Sequence, residues 1–580
     1  MGQAVLGSLL RIVAGLVLNF IASLIFRPKL PDAPKQEGPN EIREATGPRY
    51  HGVGTFSTPT QLIFAQTKRA SLVGEGTGDN ILHKIAVISS SAIGRVVSFV
   101  VDARRVGVDG NGLVTTEKLA GYMRISHRLG DGPGGDYPVL IERFAEDDVW
   151  TVDHRCDGLA TVLAEMVAAR NEDVQEIYPN QQYTAITAIC EAAPISDPRS
   201  QSMAFSDNPA LAMADFVQKP WAFDLDVAQI DWDGIAAFAT LCDEDVPSKT
   251  GLRPRYRIGG IYHEEQDPID ILLRMARAAD ARPYITAEGK FSLAGGVPGP
   301  VDVVLTDDDI LEVEQGIGVE ETDLTTIASG MYYSAEAGYQ ETDFPEYENA
   351  VLLAHYGERR LDVDLSMCPD HAQAQVLGKI NLARANPKET VSIRGRLSAI
   401  KAALPPEAGY HMLRLTSEVA GIDADYEIDG LRLDWSAERG VRLGIEARSF
   451  DPAAWTWDPA TEEKDAPKNV DDLGVSSRVD VVIAISAYTF ANDILTITPD
   501  LSDYDGQVQG QIQPMPVPFD PASPPETGWA DLTLSQPDQI LTSQPLSEGL
   551  YLLRLRFRQH GRGPWITRQF DTLAGTLTEI

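Results

Sequence analysis

Short runs of apolar residues, bounded by turn residues, recur along most of this chain, and they confine it to a β-rich, multidomain α+β architecture. Between Arg49 and Gln201 the runs include IAVIS, RVVSFVVDARRVGV and LVTTEKLAGYMRIS, broken by signals such as DGNG. The same texture returns from about Val301 to Phe450. Near the end, VDVVIAI, ILTITP, YLLRLRFRQ and ITRQFDT suit a small β-sandwich, fibronectin III-like in pattern. Helix starts cluster in between: Asp207 or Asn208 before Pro209, Asp231 before IAAFATLC, and Asp267 before Pro268 with Ile269, Leu272, Leu273 and Ala276 behind it. A hairpin follows in RPYITAEGKFSLAGG, with Gly289 supplying the positive φ of its turn. One more helix is expected near Asp370, carrying Ala372, Val376, Leu377, Ile380 and Ala383. Leu159, Val162, Leu163, Met166 and Val167 also recur at helical spacing and predict an amphipathic helix there.

At 580 residues the chain has room for about four domains. Lys and Arg number 49 against 85 Asp and Glu, a formal charge of −36. So acidic a surface repels phosphate and argues against a sequence-specific nucleic-acid partner. Charged residues make up only 23% and hydrophobic ones 43%, which is a folded composition and not that of a disordered acidic chain. Cys156, Cys190, Cys242 and Cys368 show no metal or redox spacing and are expected as buried, reduced thiols.

Ala4 to Phe26, AVLGSLLRIVAGLVLNFIASLIF, is long enough as a helix to cross a bilayer. It is a poor secretory signal, since no basic residue precedes it, Arg11 interrupts it and no small-x-small site follows. At 100° per residue Ser8, Arg11, Gly15, Asn19 and Ser23 share one small, polar stripe and the aliphatic residues fill the rest. Such a stripe is expected to face other copies of the helix or the inside of a bundle. A permanent anchor, or a helix packed on another protein, is the plainer alternative. Pro28, Pro31, Pro34 and Pro39 then mark an extended linker.

No catalytic motif emerges. His263 is followed by Glu264 and Glu265 but by no second histidine four residues on, so the metalloprotease helix is missing. Asp109 to Gly112 cannot start a calcium loop, because the bidentate position would fall on Lys118; a tight hairpin is expected. Asp307, Asp308 and Asp309 predict a short helix or turn, and GDGPGGD at 130–136 a loop. Walker A, GxSxG and Rossmann patterns are missing too. No catalytic, metal or cofactor site is therefore expected.

The order of DDVWTVDHRCDGLATV, YPNQQYTAITAICEAAPISDPRS, MAFSDNPALAMADFV, IDWDGIAAFATLCDE and DPIDILLRMARAADARPYITAEGKFSLAGG resembles that of central tail hub proteins of long-tailed bacteriophages, the lambda-like tip attachment or host-specificity proteins. The resemblance spans roughly Arg49 to Phe450. It implies a homotrimeric baseplate hub at the distal tail tip of a virion, with two β-barrel-like hub domains per subunit flanking α/β domains. It also implies as partners a distal tail ring protein, a tape-measure protein and a tail fibre or receptor-binding protein. Assembly would take place in the bacterial cytoplasm, and the function would be host attachment and DNA ejection, without enzymatic activity. The domain plan that follows is an N-terminal hydrophobic helix at 1–30 and a Pro-rich linker at 31–48. The first barrel takes 49–117 and 178–205, around an inserted α+β domain at 118–177. An α/β domain at 206–300, the second barrel at 301–455, a linker at 456–475 and the C-terminal β-sandwich at 476–580 complete it. Trp150, His154, Trp221 and Trp232 are expected to be packing residues.

Two departures stand out: no long fibre follows the hub, and a hydrophobic helix precedes it, which points to possible contact of residues 4–26 with the host membrane. The competing readings are a membrane-anchored bacterial surface or periplasmic β-rich binding protein and a tail-associated peptidoglycan hydrolase.

Overall fold

The computed structural model describes residues 41–42 and 47–580, apart from 71, 73–79, 103, 117–118, 133–135, 170–176, 179, 181–183, 302, 404–410, 437–439, 467–484, 500–507, 516–529, 536–539, 558–565, 575 and 580. It forms two compact units that divide after Pro467. The polar stripe Ser8, Arg11, Gly15, Asn19 and Ser23 lies outside the described residues. Among the described residues no helix is long and apolar enough to cross a membrane.

The first β region of the larger unit has two sheets. One runs in the order Glu41–Ile42, Thr60–Arg69, Asn80–Ser89, Ala160–Val167, Met123–Arg128; the other in the order Thr55–Ser57, Ile186–Ala192, Ile93–Val101, Arg104–Val106. Phe56, Ile88, Phe99, Val162, Met166 and Ile186 fill the space between them. Residues 109–112 make the expected turn, with the Gly112 amide donating to the Asp109 carbonyl at 3.0 Å and Gly112 at positive φ.

Where helical spacing predicts a helix, the structure has the strand Ala160–Val167, and every residue in it is buried. Both of its faces are covered. Val162, Ala164 and Met166 meet the second sheet, while Leu163 meets helix α1 (Pro138–Phe144) through Tyr137, Leu140 and Phe144. A strand buried on both sides need not alternate apolar with exposed polar residues, and even Thr161 and Glu165 are buried here, so its apolar residues fall at helical intervals by accident.

In the middle region the helices begin at the cap residues. Asn208 Oδ1 accepts the Ala210 amide at 3.0 Å to open α2 (Pro209–Phe216), Asp231 precedes α3 (Trp232–Cys242), and Asp267 Oδ1 accepts the Ile269 amide at 2.9 Å to open α4 (Pro268–Arg277). The hairpin Ala281–Ile285 with Phe291–Gly295 turns at Gly289, whose φ is +81°. This core is shared by residues well beyond it in sequence, including Tyr332, Phe344, Leu365 and Leu377. Tyr332 comes from a small hairpin and Leu377 from the second of two helices, α5 (Ala350–Tyr356), which buries none of its residues, and α6 (His371–Ala385), which Asp370 caps. Gly54 lies where a Cβ would meet the Ile258 carbonyl at 2.0 Å, which lets the first β region approach the middle region this closely.

The second β region is one six-stranded sheet in the order Val303–Thr306, Met412–Ser417, Ile422–Ser436, Gly440–Ser449, Glu389–Gly395, Ile310–Ile317. Its two edge strands are consecutive in the chain and joined only by a turn at Asp307–Asp309. The sheet must therefore curl until its edges approach. Leu305, Ile393, Leu415, Tyr426 and Ile445 fill its concave side.

The C-terminal unit packs a four-stranded and a five-stranded antiparallel sheet about one core of Leu495, Ile497, Leu541, Leu553 and Phe570.

Candidate functional site

The most concentrated chemistry in the larger unit is a buried cluster of charges where the middle region meets the second β region. Asp280 follows α4 at positive φ, Arg282 begins the next strand, Arg384 ends α6, and Glu427 and Arg448 stand on neighbouring strands of the six-stranded sheet. Arg384 Nη1 donates to Asp280 Oδ1 at 2.5 Å, its Nη2 to Oδ2 at 3.1 Å, and its Nε to Glu427 Oε2 at 3.3 Å. Arg282 Nη2 donates to Glu427 Oε1 at 2.6 Å and Arg448 Nε to Glu427 Oε2 at 3.3 Å. Asp429, 2.7 Å from Arg448 Nη2, makes the charges three and three. Trp455 donates its indole N–H to Asp280 Oδ2 at 3.2 Å and lies 5.1 Å beneath the Arg384 guanidinium.

Burial works to raise the Glu427 carboxyl, but Arg384, Arg448 and Arg282 outweigh it and hold it down to about 2. Burial likewise opposes the charge on Arg384, and Asp280 and Glu427 overcome it, so its pKa lies above the ordinary value. The cluster pairs its charges with one another across the two parts of the fold, so what it does is fix the angle between them.

The chain leaving the sheet reinforces this joint. Residues 456–465, part of the linker expected at 456–475, lie along α6: Lys379 Nζ donates to Glu462 Oε1 at 2.5 Å and to the Thr456 carbonyl at 2.6 Å, and Gln375 exchanges hydrogen bonds with the Lys464 backbone. Lys249 reaches Asp465 at 3.0 Å.

A second polar cluster ties the first β region to the middle region. His51 packs against the rings of both Trp221 and Tyr262, with centroids at 5.3 and 5.7 Å, and those two rings are 5.9 Å from each other. Its Nδ1 is 3.2 Å from Ser91 Oγ and its Nε2 is 3.1 Å from Glu264 Oε1. Burial lowers the His51 pKa more than Glu264 raises it. Serine, imidazole and carboxylate in a string resemble a hydrolase triad, but the donors an acyl reaction needs are spent: the Ser91 amide bonds Ser89 Oγ and the Ser90 amide bonds the Tyr50 carbonyl. The string is a clamp. His51 and Glu264 are 213 positions apart, and neither neighbourhood shows a local pattern that joins them.

The other residues singled out in the sequence have structural places. Trp150 packs edge-on to Phe64 and stacks on His154, Trp221 joins Phe216 and Tyr262, and Trp232 donates to the Val227 carbonyl. Asp309 closes its turn by accepting the Thr306 amide at 3.1 Å, and Asp307 accepts from Ser417 and Glu418. All four cysteines are buried, and burial pushes their thiols up. Among the described residues no cluster of three or more His, Cys, Asp or Glu side chains could hold a metal ion.

Both β regions leave a long strand open on one side among the described residues. Thr60–Arg69 has a second partner only at Thr60 and Gln61, and Ile310–Ile317 pairs only with Glu389–Gly395.

No protein-family model matches the sequence, and no curated protein matches it. Among solved structures, a chain in the virion of the native gene transfer agent (GTA) particle is 16% identical, with 80% of this chain and 98% of that chain covered at a TM-score of 0.53. This chain shares that fold. The tail protein from Neisseria meningitidis MC58 is 11% identical, with 70% and 98% covered at a TM-score of 0.28. The 43 kDa tail protein of prophage MuSo2 from Shewanella oneidensis is 10% identical, with 70% and 98% covered at 0.26.

Proposed function

We propose that this chain is a structural protein of a phage-type tail, acting as the central hub at the distal tip. The observation that carries the reading is architectural: two β regions, each with an open strand edge, flank a central α/β body, one tied to it by the His51 cluster and the other by the buried ionic joint. Open edges are unsatisfied unless another strand or chain covers them, and a rigid angle is what a ring of repeated units requires. The fold shared with a chain of a virion supports this reading. In it three copies close a ring, the two β regions of each copy alternate around it, and the C-terminal sandwich, fibronectin III-like, points toward fibre or receptor-binding parts. The ring protein above and the tape-measure protein are the other neighbours, and residues 4–26 contact the tape measure or the host membrane. The role needs no catalytic step.

Mass photometry of the full chain in mild detergent, followed by cryo-EM of particles that contain it, tests the proposal. A threefold ring at the tail tip is the expected result; a monomer at all concentrations, absent from purified particles, overturns it.

A further inference from the structure

The larger unit carries two apolar features that cover nothing. Helix α5, AVLLAHY, is capped by Asn349, yet none of its seven residues is buried, and Val351 and Tyr356 are 68% and 44% exposed. Soluble chains do not spend a helix of this composition on water unless something else covers it. The second feature is the tip of the hairpin formed by Ile422–Ser436 and Gly440–Ser449. Met412–Ser417 pairs with it only as far as Glu427, and Glu389–Gly395 only as far as Leu443, so residues 433–436 and 440–442 project as two strands alone. Trp435 stands there opposite Val441 and is 76% exposed. It has the same parity as Leu431, which is buried, so it prolongs the core face of the sheet into solvent.

The two features match in charge as well. The described tip carries Arg432, paired with Asp434 at 2.8 Å, and Arg442, and so is net basic in a chain of net charge −36. Around α5, the stretches 320–324 and 346–360 hold six acidic residues against two arginines and the neighbouring Lys464, with Glu321 linked to Arg359, Glu346 and Glu358 to Arg360 and Glu348 to Lys464, which leaves the rim net acidic. Within one chain neither covers the other, since both stay exposed. We propose that the hairpin tip of one copy docks on α5 of a second copy, with Trp435 against Val351 and Tyr356 and the arginines toward the acidic rim. Such a contact joins two different patches, so it is heterologous, the kind of contact from which a closed ring of copies is built when the rotation between them closes. This rests on the oligomeric hub reading and adds to it which surfaces meet.

The test uses full chains with two different tags, one carrying Trp435→Cys and the other Val351→Cys. The four native cysteines are all buried, so a disulfide between tagged partners reports the contact. The mixture is expected to crosslink and each variant alone is not. Separately, Trp435→Ala and Val351→Asp should each weaken self-association about thirtyfold or more, the loss for a central aromatic anchor, with unchanged circular dichroism and melting. An oligomer whose mass is untouched by both variants and that forms no crosslink overturns the docking while leaving the hub reading standing. A wild-type chain that stays monomeric overturns both. Binding to anionic vesicles that Trp435→Ala abolishes, with the oligomer intact, assigns the tip to lipid and likewise overturns the docking.

Discussion

Arg384 and Glu427, on a helix and a strand 43 positions apart, meet at 3.3 Å with almost no solvent on either side chain. Neither charge tolerates that position alone, because an ion taken out of water without a partner costs several kcal/mol. Together with Asp280, Arg282 and Arg448 they make the joint stable only as a whole.

Removing one member should therefore cost more than a surface pair would. Arg384→Met is expected to destabilise the larger unit by about 3–5 kcal/mol, read as a lower urea midpoint for that unit. Arg384→Lys should recover little of this, since an ammonium cannot make the paired bonds to Asp280. A loss below about 1 kcal/mol, the value of an exposed pair, would show the joint to be open to water.

The same cluster sets an acid limit. The Glu427 carboxyl is held down to about 2 in the folded chain and returns to its ordinary value near 4.5 on unfolding. A depressed carboxylate contributes stability that is present above its unfolded pKa and is lost as pH falls through its folded value. Stability from this group should be flat above about pH 5 and fall between there and about 2. Glu427→Gln should lower stability at neutral pH and remove that part of the slope; a parallel slope in the variant would count against the assignment.

Three histidines act in a higher window. His83 and His411 are pushed down to about 4, first by burial and then by Arg143 and Arg282 respectively, and His51 is lowered by burial. All three protonate more readily once unfolded, so stability should decline as pH falls below about 6.5, for His83 and His411 down to about 4. His83→Asn and His411→Asn should flatten this decline in denaturation curves collected across the window. At His51 the effect should be local: protonation of Nδ1 takes away an acceptor facing Ser91 Oγ while the contact to Glu264 gains charge, so amide exchange at Ser90 and Ser91 should speed up on acidification.

What the sequence shows and hides follows from how local each signal is. The starts of α2, α4 and α6 are legible because a capping side chain satisfies an amide two or three residues on, as Asn208, Asp267 and Asp370 do. The strand Ala160–Val167 is misread because alternation vanishes when both faces are buried. The ionic joint is illegible for a different reason: Asp280 and Arg384 are 104 positions apart, and one more pair of charges carries no mark in so acidic a chain. Its members became a site only when four elements converged.

The N-terminal segment offers the last prediction, and it rests on sequence alone. Three copies of residues 4–26 around a threefold axis would bring Ser8, Arg11, Gly15, Asn19 and Ser23 together, with Asn19 hydrogen-bonding across copies and the aliphatic surface outward. Three Arg11 charges cannot stay dry on that axis, so water, an anion or an acidic partner must meet them. A segment of this kind suits storage inside a tail tip and release into a bilayer during DNA entry. A peptide of residues 1–30 is expected to bind vesicles and make them leak. Replacing Leu16 and Ile21 together with Asp should abolish infection while tails still assemble, because the change strikes the face that would meet lipid. If the double variant infects normally, or fails because no tails form, the segment packs against protein and does not enter the membrane.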